Sequence, residues 1–149
     1  ASLGRSASRP PFTSALCIMN PSKPSWLLPQ GASEEVLKEL QSSVVGLPAS
    51  YLDLLRLGNG GEVGLSVSPY TLCLDSAEDA LAYWRSGTYT IQDAFVFGGN
   101  GGLELLAFDM RQAGNFPVIC FDPIDPEGSI EQIAPSFEQF IEMVEGENA

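Results

Sequence analysis

Asp109 and Asp122 each directly follow an apolar run that reads as a strand, and Asp125 lies three residues beyond Asp122. Carboxylates gathered at one end of a sheet could act as the acid and base of a hydrolase. Acids also collect in turns after strands simply to cap and solvate them, and the pattern favours that use over catalysis. The chain has no histidine, which removes His acid–base catalysis, His-based triads and His metal ligands together. Cys17, Cys73 and Cys120 are widely spaced and form no C-x-x-C pair, so a zinc site has little to work with. Cys73 and Cys120 sit inside apolar runs and read as buried, reduced thiols, which suits a reducing, cytoplasmic compartment.

Two loops invite a ligand reading and fail it. Gly98-Gly99-Asn100-Gly101-Gly102 follows a strand but matches neither the dinucleotide fingerprint nor the phosphate loop with its lysine. Leu103–Phe108 after it reads as a strand, so no helix N-terminus faces a phosphate. A hairpin turn needing positive φ explains these glycines better. In Asp122-Pro123-Ile124-Asp125-Pro126-Glu127-Gly128, placing Gly128 at the sixth position of a calcium loop puts Pro123 at the first and Ala134 at the twelfth, which breaks the pattern. No catalytic residue, metal or cofactor is expected.

Charge is the more informative feature. The chain carries a net −12, unevenly spread. Residues 1–33 hold Arg5, Arg9 and Lys23 and no acid. The rest holds four basic residues against all nineteen acids, a net −15. Such a surface repels phosphate backbones, and aromatic residues are nowhere interleaved with basic ones, so nucleic acid is not expected as a direct ligand. It attracts a basic protein. Acids in predicted loops, Glu62, Asp122, Asp125 and Glu127, are the candidate contacts, against the plainer reading that acidity only keeps the protein soluble.

The elements that would position these acids read as follows. At 149 residues one domain is expected, with residues 1–30 as an N-terminal extension, flexible or loosely docked, and 31–146 as the domain. The Ser- and Arg-rich first twenty residues fit a tail, an extension ahead of a start at Met19, or a transit peptide. Trp26, Leu27 and Leu28 could pin the lead-in. Ser33 caps a helix carrying Val36, Leu37, Leu40 and Val44 on one face, and Gly46 ends it. Pro48 opens a second at its first helical position, with Leu47, Tyr51, Leu54 and Leu55, and Gly58-Asn59-Gly60-Gly61 stops it through a left-handed cap. Strands follow at Gly64–Val67 and Tyr70–Leu74, turning around Ser68-Pro69. Ser76 caps a third helix with Ala77, Leu81 and Trp84 on one side, closed by Gly87. Further strands are expected at Ala94–Phe97, Leu103–Phe108, Pro117–Phe121 and Ser129–Ile133. Pro135 opens a last helix bearing Phe137, Phe140, Ile141 and Val144, closed by Gly146. The order predicts an α+β fold: a central, mainly antiparallel twisted sheet with flanking helices. No apolar run reaches the roughly 18 residues that span a bilayer, so no membrane partner is expected.

Taken together, four blocks resemble the SUKH superfamily of fungal cell-wall-assembly regulators and bacterial toxin-immunity proteins. Leu47-Pro48-Ala49-Ser50-Tyr51-Leu52 with Gly58-Asn59-Gly60-Gly61 is similar to its "LP-x-x-Y … NGG" signature. Phe95–Gly102 through Ala107-Phe108-Asp109 resembles its strand, Gly-rich turn, strand and Asp, with Asn100 where Asp is often found. Phe116-Pro117-Val118 is similar to its next strand, and Ile133-Ala134-Pro135-Ser136-Phe137 with Phe140-Ile141 to its closing helix. The resemblance implies no enzymatic activity and a protein partner, such as a polymorphic toxin, often a nuclease. It equally admits a regulatory or scaffolding adaptor. The matched residues look like fold determinants, so they do not transfer as a binding site.

Overall fold

The computed structural model describes residues 24–87, 93–111 and 116–145. Within them the helices are α1 (Glu34–Ser43), α2 (Ala49–Leu57), α3 (Ala77–Ser86) and α4 (Phe137–Ile141). The strands are β1 (Gly61–Gly64), β2 (Thr71–Leu74), β3 (Ala94–Gly99), β4 (Leu105–Asp109), β5 (Val118–Phe121) and β6 (Glu131–Ala134). The strands lie side by side in chain order, every neighbour antiparallel. This is the α+β arrangement that the element order predicts.

Helix starts follow local chemistry. The hydroxyls of Ser33, Ser76 and Ser136 accept from the N–H groups of Val36, Asp79 and Gln139 at 3.3, 3.1 and 3.2 Å, satisfying donors the first turn leaves open. Gly87 closes α3 in the left-handed region at φ 64°, and Gly46 follows α1 at φ 95°. Pro48 stands one place earlier than expected, as the N-cap of α2, because its ψ of 137° is extended.

Other boundaries move because tertiary contacts intervene. Gly58 caps α2 in an extended rather than a left-handed conformation. Glycine is required there for clearance, since a Cβ would lie 2.5 Å from the Leu27 Cβ. β1 begins at Gly61, three residues before the expected strand, because Leu27 forms a bridge with Gly61 and the lead-in crosses where a side chain would stand. The lead-in thereby buries Leu27 in the core. β4 starts at Leu105 rather than Leu103. The Asn100 Oδ1 accepts from the N–H groups of Gly102 at 2.8 Å and Glu104 at 3.2 Å, holding the intervening residues as a turn with Leu103 exposed. Of the glycines around that turn, only Gly101 takes a positive φ. Gly98 lies in β3, where a Cβ would strike the Cys73 carbonyl. α4 ends at Ile141, and Val144 is not on its face. Instead Val144 bridges Leu65, Ser66 N–H donates to Met143 O, and Glu145 N–H donates to Gly64 O. These bonds tie the C-terminal segment to the chain just after β1. Gly146 and Cys17 lie outside the described residues.

Strand alternation gives the sheet two buried faces. Phe95 and Phe97 of β3, Leu106 and Phe108 of β4, and Val118 and Cys120 of β5 meet the helices. Tyr51 of α2 sits at their centre, its ring 5.2 Å from Phe108, 5.6 Å from Phe137 and 5.9 Å from Phe97. Such aromatic pairs each contribute about 1 kcal/mol beyond simple burial. Trp84 is 37% exposed yet keeps its ring 5.9 Å from Phe95. On the opposite face Ala94, Val96, Ala107, Ile119 and Phe121 form a second cluster, against which Ile130 packs. No helix among the described residues is long and apolar enough to cross a membrane.

Candidate partner-binding surface

The segment joining β5 to β6, residues 122–130, holds three of the four predicted contact acids. Ser129 staples it together. Its Oγ accepts from Asp122 N–H at 2.7 Å and donates to Asp125 O at 2.7 Å, while its N–H donates to Asp125 O at 3.1 Å. The Asp122 carboxylate accepts from Ile124 N–H at 2.9 Å, a turn that Asp side chains make readily. The Asp125 carboxylate lies over Gly128, where a Cβ would have to displace it. At the tip Ile124 is 81% exposed. Ser129, expected at the start of a strand, is spent on this loop, and β6 begins two residues later.

Half-buried Asp122 and exposed Asp125 and Glu127 therefore share one stapled loop with an exposed apolar side chain. Glu62 is not with them. It lies on β1, in register with Cys73 of β2, four strands from β5, which is about 19 Å in a flat sheet.

Among the described residues the cations form their ion pairs outside this loop. Arg56 pairs with Glu34 and Asp53, Arg85 with Glu39 and Arg111 with Asp109. The chain after Arg111 contains no Lys or Arg. Among the described residues the three loop carboxylates have no ion pair. Beyond its bonds to Asp109, Arg111 also feels the charges of Asp93 and Glu127, and Glu127 is exposed.

The carboxylate pair that a hydrolase would need is not assembled. Leu105 pairs with Phe121 and Phe108 with Val118, so Asp109 and Asp122 stand at opposite ends of the β4–β5 hairpin. The Asp109 carboxylate is buried and held by Arg111 Nε at 2.9 Å and Arg111 Nη2 at 2.8 Å. Those bonds keep its pKa below the usual carboxylate range. Cys73 is half-buried and Cys120 buried, both free. Burial, then nearby Glu104, pushes the Cys120 thiol up to about 12, and burial, then Glu62, raises that of Cys73. Protonated thiols are poor nucleophiles and poor metal ligands. Among the described residues no three His, Cys, Asp or Glu side chains cluster to hold a metal.

A second feature is a groove of about 360 Å³ between α2 and α4, lined by Ser50, Asp53, Leu54, Leu57, Phe137, Glu138 and Ile141. The sequence signal for it is the spacing i, i+3, i+4, i+7 from Ser50 to Leu57, which reads first as core because Leu54 is shared with the buried face.

A family model described as the SMI1 / KNR4 family (SUKH-1) matches residues 31–143. The chain belongs to that family. No curated protein matches it. The SUKH-1 family is generally non-enzymatic. In this SUKH-1 domain the signature residues hold the fold: Tyr51 centres the aromatic core, Asn59 bonds to the start of α3, and Phe137 and Phe140 are buried. The acids of the β5–β6 loop lie outside those blocks.

Proposed function

We propose that this SUKH-1 domain is a non-enzymatic binding module, an immunity protein that neutralises a cognate basic toxin by covering its cationic surface. The observation that carries this reading is the β5–β6 loop, which holds Asp122, Asp125 and Glu127 together with exposed Ile124 in a stretch of chain without a single cation. An apolar anchor on a loop of like charge combines burial with electrostatic steering. A nuclease suits the surface because its own site is basic for an anionic substrate. Family membership also accommodates a regulatory adaptor, which would use the same surface on a non-toxic partner. Free, protonated thiols support a reducing, cytoplasmic setting.

Co-expression tests the proposal. A toxin-like reading frame sought beside this gene is induced alone, with the full chain, and with the chain carrying Asp122→Asn, Asp125→Asn and Glu127→Gln; finding none would count against the immunity role. Growth restored by the native chain and not by the triple variant is expected. Equal growth arrest with and without the native chain would reject the immunity role.

A further inference from the structure

We infer that the groove between α2 and α4 docks a basic amphipathic segment of the partner protein, an inference that rests on the protein-binding reading above. Leu54 and Phe137 form its buried floor, half-buried Leu57 and Ile141 its sides, and Asp53 and Glu138 its rim. The stripe on α2 runs two helical turns, which suits a chain segment presenting apolar side chains at helical spacing.

The charge on its rim says what occupies it, and that charge is one-sided. Asp53 is engaged by Arg56 at 2.7 Å, but Glu138 is exposed, with exposed Glu142 one turn further along and no Lys or Arg after Arg111. Like charges four residues apart repel, and a cation on the incoming segment relieves this. A second copy of the chain would bring another net −12 and be repelled. A basic segment with one apolar face answers the floor and the rim together.

The test uses the full, isotope-labelled chain and synthetic peptides of about 15 residues, long enough to hold a helix. One is a Lys/Leu amphipath, one a Lys/Gly peptide of equal charge, and one a Glu/Leu amphipath. Saturable amide shifts at 50–57 and 137–142 are expected with Lys/Leu, and affinity weaker by about tenfold or more with the other two. Ile141→Glu and the milder Leu57→Ser should each weaken Lys/Leu binding about tenfold, whereas neutralising exposed Glu35 on α1, Glu35→Gln, changes it less than about twofold. Shifts centred on 122–131, equal binding of Lys/Gly, or no binding of any peptide would overturn the groove assignment. Those results would leave the basic-partner reading standing, because growth rescue judges it separately.

Discussion

The Asn59 carboxamide joins the end of α2 to the start of α3: its Oδ1 accepts from Ala77 N–H at 2.8 Å. The same side chain donates from Nδ2 to Glu78 Oε1 at 2.7 Å. One residue thus satisfies an open donor of α3 and fixes a carboxylate in its first turn, across 18 residues of chain. Asn59→Ala leaves that N–H unpaired and should cost about 1–3 kcal/mol, read as a lower urea midpoint with an unchanged slope. Asn59→Asp keeps the acceptor but sets a carboxylate against Glu78. Its loss should be largest at neutral pH and shrink as pH falls through the carboxylate range. An unchanged midpoint in Asn59→Ala would contradict the role.

Why Asn59 was hidden in the sequence is instructive. Beside Gly58, Gly60 and Gly61 it reads as part of a helix stop, and nothing local says that its amide reaches Ala77. The elements themselves were legible wherever the signal is local: serine caps at Ser33 and Ser76, the stops at Gly46 and Gly87, and the apolar faces of α1 and α3; the last helix was expected to open at Pro135, and Ser136 caps it instead. Boundaries set by distant chain were not. The early start of β1 depends on Leu27 crossing Gly61, and the early end of α4 depends on Val144 pairing with Leu65. The contact acids were partly legible. Asp122, Asp125 and Glu127 are adjacent in sequence and so stay together. Nothing in sequence says that Glu62 sits across the sheet, or that Asp109 is spent on Arg111.

Asp75 should make stability depend on pH. Burial, then the charge of Asp79, raises its carboxyl from 3.8 to about 6. The native state therefore holds this proton more tightly than the unfolded chain does. Its contribution is full below the ordinary value and is lost as pH rises from about 4 to about 6. Asp109 and Glu34 act oppositely: their lowered values are sources of stability above the ordinary range that vanish in acid. Asp75→Asn mimics the protonated form. It should raise the urea midpoint at pH 7.5 and leave it nearly unchanged at pH 4, with the difference appearing across that window. Parallel pH profiles for the two proteins would show that Asp75 is not the source.

Two glycine substitutions should separate crowding from backbone conformation. At Gly98 a Cβ would run into the Cys73 backbone, so Gly98→Ala must part β2 from β3 and should cost about 3 kcal/mol, the upper end for overpacking. At Gly87 nothing lies within 4 Å, but φ is +64°, so Gly87→Ala should cost only about 1 kcal/mol through the left-handed conformation. Thermal melting distinguishes them, and equal shifts would contradict the close approach at Gly98.

The acidic β5–β6 loop as a partner-binding surface is tested most directly by the salt dependence of binding. The partner recovered through growth rescue is titrated with the full chain from low to high ionic strength, beside the Asp122→Asn, Asp125→Asn, Glu127→Gln variant. Affinity should fall about tenfold or more as salt rises, and the variant should bind more weakly at low salt with a flatter dependence. An affinity indifferent both to salt and to the three neutralisations would contradict it.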